Sequence, residues 1–298
     1  MKPDWLDTKE YPFTSKYLEL EAGRMHYIDE GEGAPIVMIH GTPSWSFLYR
    51  NLIKILSKHY RCIAMDLIGF GLSDKPADFS YKPRAHAANF EALMEHLNLK
   101  DITLMVHDFG APIGLAYAIK HPSNVQSIVM LNTWTWSLSN HYTYSKASKY
   151  LVGPLGKFLH SKLNVSTETL VHELFGEQSK LPESIQQQYI KALGDPEEHV
   201  RSLACARELV GVTKWYDELW RQRKRIQDIP TLILWGEQDK LVKIEALQKW
   251  KKFFHECYVM HFENSGHFLQ EENAEEVASY VNNFIKEEQK KRQPELHQ

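Results

Sequence analysis

One segment surrounds an acidic side chain with the features that would make it reactive. Residues 102–114, ITLMVHDFGAPIG, join an apolar run to Asp108, small residues and a helix-compatible run. This layout predicts a strand that turns sharply into a helix and presents Asp108 at the bend. Unpaired N–H groups at the start of that helix would favour its negative charge, so Asp108 is a candidate nucleophile. On this segment alone, Asp108 could equally be a simple helix cap.

Two further candidates follow at the ends of later apolar runs. The segment TLILWGEQD ends at Asp239, with Glu237 as its rival, and NSGHFLQ contains His267 in a loop. A histidine can take a proton from an attacking group, and a carboxylate behind it fixes its tautomer and stabilises its charge. The chain order of nucleophile, acid and histidine therefore predicts a triad of Asp108, Asp239 and His267.

A third segment, IVMIHGTPSW, leads an apolar run into His40 and Gly41. Glycine permits a sharp turn there that exposes the backbone. The N–H groups of Thr42 and of Phe109, the residue after Asp108, would then be the donors to a developing oxyanion. The alternative is an ordinary loop with a structural glycine and proline.

The elements that must position these residues are indicated by short apolar runs that alternate with helical patterns. This alternation predicts an α/β fold with a mostly parallel central sheet and flanking helices. Most of the runs are apolar throughout, as strands buried on both faces should be. The predicted strands are 25–29, 35–40, 62–66, 102–107, 127–131, 231–235 and 258–262.

The strand signals stop after the fifth run, over residues 134–228. That stretch contains breaking prolines and helix-like pieces at 183–193 and 199–209. We interpret it as a helical cap inserted into a core domain made of residues 1–133 and 229–298. Helices packed along the flank of the sheet are the alternative.

Composition excludes several classes of function. A chain of 298 residues with 43% apolar residues is long enough to bury one large core. The formal net charge is −3 with both signs interspersed, so neither nucleic acid nor an anionic membrane is an expected partner. No run of about 18 apolar residues and no secretory signal is present, so a cytoplasmic protein is expected.

Metal and nucleotide cofactors have no support in the sequence. The three cysteines lie far apart, without zinc-binding spacing, and no HExxH pattern occurs. Gly69-Phe70-Gly71 resembles the start of a dinucleotide fingerprint, but Asp74 replaces its third glycine. We therefore expect no cofactor.

Taken together, these segments resemble the haloalkane dehalogenase and epoxide hydrolase branch of the α/β-hydrolases over nearly the whole chain. The matching segments are HGTPSWSFLYR, DLIGFGLSDKP, VHDFGAPIG, ILWGEQD and SGHFLQEE, and the likeness to dehalogenases is the closer one. The resemblance implies the α/β-hydrolase fold with an inserted helical cap. It also implies that Asp108 attacks the carbon bearing a halogen to form an ester, that His267 activates water to hydrolyse the ester, and that Asp239 stabilises the imidazolium.

Two positions depart from the dehalogenase pattern. The residue after the nucleophile is usually a tryptophan whose N–H binds the halide, whereas Phe109 has no side-chain donor. Thr42 stands where many members have asparagine. A tryptophan elsewhere could supply the missing donor, and the candidates are Trp134, Trp136, Trp215 and Trp220.

Substrate class stays open between a small apolar haloalkane and an epoxide. Epoxide hydrolases protonate the ring oxygen with cap tyrosines, and the candidates here are Tyr142, Tyr144, Tyr150, Tyr189 and Tyr216. A binding module that retains the scaffold without turnover is a further alternative. We expect a monomer or a weak oligomer.

Overall fold

The core of the protein is one eight-stranded sheet with helices on both faces. The structure is a computed structural model, described for residues 3–137, 175–176, 181–195, 198 and 213–292. The strands run in the order β1-β2-β4-β3-β5-β6-β7-β8; β2 is antiparallel to β1 and β4, and the other neighbouring pairs are parallel. Their bounds are β1 Lys16–Leu20, β2 Gly23–Glu30, β3 Pro35–Ile39, β4 Arg61–Met65, β5 Ile102–His107, β6 Val125–Leu131, β7 Thr231–Gly236 and β8 Cys257–Phe262.

Eight helices are numbered over the described residues. They are α1 Arg50–Leu56, α2 Pro83–Leu97, α3 Gly110–Lys120, α4 Glu183–Lys191, α5 Thr213–Gln222, α6 Ile244–Phe253, α7 Leu269–Glu272 and α8 Ala274–Arg292. Short 3-10 turns cover Ser46–Tyr49, Pro122–Asn124 and Arg223–Ile226. Within the described part of the chain, no helix is long and apolar enough to cross a membrane.

Central strands are apolar throughout because they face a core on each side. In β3, Ile36 and Met38 pack into one hydrophobic cluster, whereas Val37 and Ile39 pack into the other. This follows from the two-residue alternation of side chains along a strand. Since β3 and β5 to β8 are parallel, their carboxyl ends meet at one edge, and that is where residues 40–42, 108, 132, 239 and 267 lie.

The predicted sheet is confirmed. All seven predicted runs are strands, with bounds within two residues of the prediction, and the helix predicted at 183–193 is α4. The sequence prediction missed β1, an edge strand whose residues KYLEL alternate between half-buried and exposed. The helix-like piece at 199–209 lies outside the described residues.

Helix α3 lies unusually close to the sheet at two glycines. A Cβ atom on Gly110 would be 2.1 Å from the carbonyl oxygen of Ile39, and one on Gly114 would be 2.8 Å from Cγ1 of Val106. Neither glycine has a positive φ, so each is required by the packing distance and not by its backbone conformation. The close approach brings the start of α3, next to Asp108, against the end of β3.

Packing and helix propensity make opposite predictions for Gly110→Ala. Propensity alone would stabilise the helix by up to about 1 kcal/mol, whereas the clash with a fixed carbonyl should cost more, about 1–3 kcal/mol or above. We expect a net loss of roughly 2 kcal/mol in the free energy of unfolding, measured by urea denaturation. Ala116→Gly, on the half-buried part of the same helix, is the control and should lose about 1 kcal/mol through propensity alone. A Gly110→Ala variant as stable as the wild type would contradict the packing account.

Candidate active site

Asp108 occupies a strained position in the turn between β5 and α3. Its φ is +50°, a left-handed conformation that side chains other than glycine adopt at a cost. The hydroxyl of Thr133, just after β6, donates a 2.6 Å hydrogen bond to the carbonyl oxygen of Asp108. The neighbouring strand end therefore helps to hold the turn in this conformation.

The carboxylate of Asp108 is buried against the loop that follows β3. The backbone N–H of Thr42 donates to Oδ1 at 2.9 Å, and the N–H of Phe109 also hydrogen bonds the carboxylate. A Cβ atom on Gly41 would be 2.2 Å from Oδ1, so only glycine leaves room for the carboxylate at this place. The two N–H groups expected from the sequence thus converge on the side chain of Asp108.

His267 lies between two carboxylates. Its Nδ1 is 2.7 Å from Oδ2 of Asp239, and its Nε2 faces Oδ2 of Asp108 at 3.5 Å. All three side chains are buried. The short contact fixes the ring through an Nδ1–H donor, and the longer contact leaves Nε2 directed at Asp108 without a well-formed hydrogen bond. The structure therefore brings together all three residues of the predicted triad.

Asp239 is fixed by partners on both of its oxygens. Oδ1 accepts the backbone N–H groups of Leu241 at 2.7 Å and Val242 at 3.0 Å, while Oδ2 accepts the amide of Asn132 at 2.8 Å as well as His267. The rival carboxylate, Glu237, is exposed and pairs with the exposed His261 at 2.8 Å. Of the two candidates for the acid, Asp239 and Glu237, Asp239 is therefore the one that faces the imidazole.

Burial and the neighbouring charges act in opposite directions on the pKa values of Asp108 and His267. Burial alone would raise the pKa of Asp108, but His267 outweighs it, and the pKa of the carboxyl is lowered. Burial alone would lower the pKa of His267, but the Asp239 and Asp108 carboxylates outweigh it and raise that pKa to about 10. The imidazole is therefore protonated at neutral pH while Asp108 is ionised.

A second histidine, which sequence reasoning did not single out, supports this arrangement. His107 is buried directly before Asp108, its Nε2 is 2.8 Å from the carbonyl oxygen of His267, and the two ring centroids are 4.5 Å apart. Burial, then repulsion by His267, lowers the pKa of His107 to about 3, so the ring is neutral. Because a carbonyl oxygen only accepts, Nε2 of His107 carries the proton and holds the backbone of His267.

The helix that follows His267 is tied to two other parts of the structure. Both carboxylate oxygens of Glu271 lie 2.5 Å from the guanidinium of Arg50, and the hydroxyl of Tyr189 in α4 donates to Glu271 at 2.6 Å. The neighbouring Glu272 accepts the backbone N–H of Gly266 at 2.9 Å. These bonds help to hold the loop that carries His267.

Helix α4 is also held by residues near the N-terminus. The backbone N–H of Asp7 donates to the side chain of Gln188 at 3.0 Å, and the amide of Gln188 donates to the carbonyl of Trp5 at 2.9 Å. The indole of Trp45 donates to the backbone carbonyl of Gln188 at 3.2 Å. This arm and the loop after β3 thus fix the position of α4.

The tryptophan candidates have different surroundings. The buried indole of Trp134 packs edge-on against Phe109, with ring centroids 5.2 Å apart, and its N–H has no hydrogen-bond partner among the described residues. Trp136 instead contacts Trp220 and Trp250, each with ring centroids 5.1 Å away. The structure therefore places Trp134, and not Trp136, against Phe109; Trp215 contacts Tyr216.

The tyrosine candidates are only partly described. Tyr142, Tyr144 and Tyr150 lie outside the described residues, and Tyr216 is buried in α5. The hydroxyl of Tyr189 is engaged with Glu271. In the described part of the molecule, no group of three or more His, Cys, Asp or Glu side chains is arranged to hold a metal ion.

Comparison with known proteins identifies the family of the fold. Residues 34–274 match the family model described as the alpha/beta hydrolase fold. Two curated relatives are a cis-3-alkyl-4-alkyloxetan-2-one decarboxylase from Shewanella oneidensis, 31% identical over 93% of this chain and 89% of that protein, and haloalkane dehalogenase 2 from Mycobacterium bovis, 30% identical over 92% and 96%.

Solved structures show the same fold. The crystal structure of the haloalkane dehalogenase DatA from Agrobacterium tumefaciens aligns with a TM-score of 0.83 and 24% identity over 92% of this chain and 97% of that one. The family model spans most of the chain, and the curated relatives are covered nearly in full. The chain therefore belongs to the α/β-hydrolase fold family, in the part of it that contains haloalkane dehalogenases.

Proposed function

We propose that the protein hydrolyses carbon–halogen bonds of small apolar haloalkanes, with Asp108 as nucleophile, His267 as base and Asp239 as the acid that orients it. The observation that carries this proposal is a buried carboxylate, in place of a hydroxyl, in the strained turn after β5, with an imidazole nitrogen 3.5 Å away. The similarity to haloalkane dehalogenase 2 supports it.

In the first step, an oxygen of Asp108 attacks the carbon that bears the halogen. A carbon–oxygen bond forms as the carbon–halogen bond breaks, which leaves an alkyl ester of Asp108 and a halide ion. A carboxylate suits this substrate because the product is an ester that water can cleave. Attack on a carboxylic ester would instead give an anhydride.

In the second step, His267, which has released its own proton to solvent after ester formation, takes a proton from water as that water attacks the carbonyl carbon of the ester. The N–H groups of Thr42 and Phe109, which contact the free carboxylate, then stabilise the oxyanion that develops on the same group. The bond between the carbonyl carbon and the alkoxy oxygen then breaks, the imidazolium gives its proton to the departing alkoxide to form the alcohol, and the acid formed on Asp108 returns a proton to His267. Esterification removes the charge of Asp108, one of the causes that keep His267 protonated, so its pKa falls. The imidazole thus becomes a base after the ester has formed.

We assign the stabilisation of the departing halide to Trp134. Its buried indole N–H has no partner among the residues that the structure describes, and its ring contacts Phe109, the neighbour of Asp108. A buried donor that has no protein acceptor is costly unless a ligand uses it. This donor would compensate for the missing side-chain N–H at position 109.

We also propose that residues 134–228 form a helical cap on a core of residues 1–133 and 229–298. In support, Tyr189 of α4 stacks on Phe268, the neighbour of His267, with ring centroids 5.8 Å apart, and contacts Phe47 edge-on at 5.5 Å. These contacts place apolar side chains of the inserted stretch beside the catalytic loop, which suits an apolar substrate.

A second candidate function is decarboxylation of an oxetan-2-one, the reaction named for the Shewanella relative. Asp108 would attack C4, the saturated ring carbon bonded to the ring oxygen. The bond between C4 and the ring oxygen would break, which frees a carboxylate on the same molecule. Loss of carbon dioxide from that carboxylate would form the alkene and expel Asp108 in its original state. The leaving group in this reaction is a carboxylate that stays attached to the substrate, so no halide ion is released. The reaction therefore needs no halide donor at position 109, where the chain has Phe109.

The two functions predict different behaviour of His267→Phe. With 1-bromobutane, the wild type should release bromide continuously. The variant should release one equivalent and stop, because the ester cannot be hydrolysed, and mass spectrometry should find a butyl adduct on the peptide containing Asp108. With a cis-3,4-dialkyl oxetan-2-one, a decarboxylase should keep turning over in the variant, because no water is needed.

Asp108→Asn is the control for both reactions and should abolish each of them. An adduct on another residue would refute the assignment of the nucleophile. If the folded wild type turns over neither substrate, the proposed dehalogenase function is wrong.

The assignment of Trp134 predicts a loss of rate without a loss of stability. Trp134→Phe removes the unpartnered N–H and keeps an aromatic ring, so the free energy of unfolding should change little. A hydrogen bond to a charged group contributes about 1.5–3 kcal/mol, so the rate of bromide release in a single turnover should fall about ten- to hundredfold. Trp136→Phe is the matched control and should retain the wild-type rate. Equal rates in both variants would contradict the assignment.

The charge balance at His267 predicts that stability falls as the pH rises. The imidazole has a pKa of about 6.5 when unfolded and about 10 when folded, so its contribution is complete below pH 6.5 and is lost towards pH 10. Relative to His267→Phe, the wild type should lose stability with a slope of up to about 1.4 kcal/mol per pH unit. Urea denaturation of both proteins at pH 6.5, 8 and 10 measures this difference. Parallel pH profiles would mean that His267 is neutral in the resting protein.

A further inference from the structure

A solvent-open cavity of about 240 Å³ lies between α5, the 3-10 turn after it and α6, outside the candidate active site. Its aromatic wall consists of Trp220 and Phe253, and every charged side chain that lines it is cationic. We call it the Trp220 pocket and define it by Trp220, Arg223, Lys224, Lys249, Lys252 and Phe253.

Two of the cationic side chains, Arg223 and Lys249, contact the ring of Trp220. The guanidinium of Arg223 lies 4.3 Å from the ring centroid of Trp220, and the ammonium of Lys249 lies 4.4 Å from the same centroid and 3.9 Å from that of Trp136. Both side chains are half-buried. Contact with aromatic faces holds the two cations in place, although they repel each other.

No carboxylate of the described residues forms an ion pair with any of the four cations of the Trp220 pocket. Burial and repulsion from Arg223 lower the pKa of Lys249 to about 8. Elsewhere on the described surface, several partly buried cations do have such partners; Arg61, for example, pairs with Asp29 at 2.7 Å. The Trp220 pocket therefore combines an aromatic wall with four cationic side chains that no carboxylate of the described residues pairs with.

We propose that the Trp220 pocket binds a small phosphomonoester. A dianionic phosphoryl group would neutralise the converging ammonium and guanidinium groups, and the organic part would contact Trp220 and Phe253. The volume of about 240 Å³ is below the usual range for drug-sized ligands, so it suits a phosphate with one ring or a short chain. This site is separate from the proposed hydrolytic function.

Isothermal titration calorimetry of the full chain tests the proposal, with phenyl phosphate, inorganic phosphate and benzoate as probes. We expect phenyl phosphate to bind with one-to-one stoichiometry, at least tenfold more tightly than either of the other two. Repeating the titration at pH 8.5 in two buffers of different ionisation enthalpy should reveal proton uptake, because a bound dianion raises the pKa of Lys249.

Lys249→Met should weaken the binding of phenyl phosphate at least tenfold, and Arg223→Gln should weaken it as well. Lys243→Met, at an exposed lysine just before α6 and outside the Trp220 pocket, is the matched control and should bind like the wild type. Bromide release should be unchanged in all three variants, which separates this test from that of the active site. Absence of binding at millimolar phenyl phosphate, or equal affinity in wild type, Lys249→Met and Arg223→Gln, would overturn the proposal.

Discussion

The arrangement of the site depends on one imidazole held between two buried carboxylates. His267 can remain charged in a region closed to solvent because Asp239 and Asp108 flank it. The three charges therefore form one unit. In the proposed mechanism, neutralisation of Asp108 would lower the pKa of His267, which would give the two proposed steps their order.

Neutral groups around this unit fix its geometry. The amide of Asn132 and two backbone N–H groups hold Asp239, the neutral His107 holds the backbone of His267, and Thr133 holds the carbonyl of Asp108. Each partner lies at the end of a parallel strand or in the loop after it. The sheet order brings these ends together, and that is why residues 132 and 239, which are distant in sequence, share a hydrogen bond.

The sequence predicted the parts of the structure that repeated patterns encode. The buried parallel strands were found from their apolar runs, and the antiparallel β2 and the edge strand β8 also contain such runs. The edge strand β1 has no apolar run, because its residues alternate between half-buried and exposed, and it was missed. The three triad residues were found because each follows a strand and is chemically reactive. His107 was missed because a hydrogen bond from a ring to a distant carbonyl leaves no local pattern. Sequence could not distinguish Trp134 from Trp136 either, because the direction of a loop side chain depends on its neighbours.

The attachment of α4 to the N-terminal arm has a consequence for the His267 loop. The backbones of Trp5 and Asp7 hydrogen bond the side chain of Gln188. The next residue, Tyr189, donates its hydroxyl to Glu271. Loss of this arm would leave the side-chain amide of Gln188 without these two partners, so the anchoring of α4 beside the His267 loop depends on a segment more than 180 residues away in the sequence.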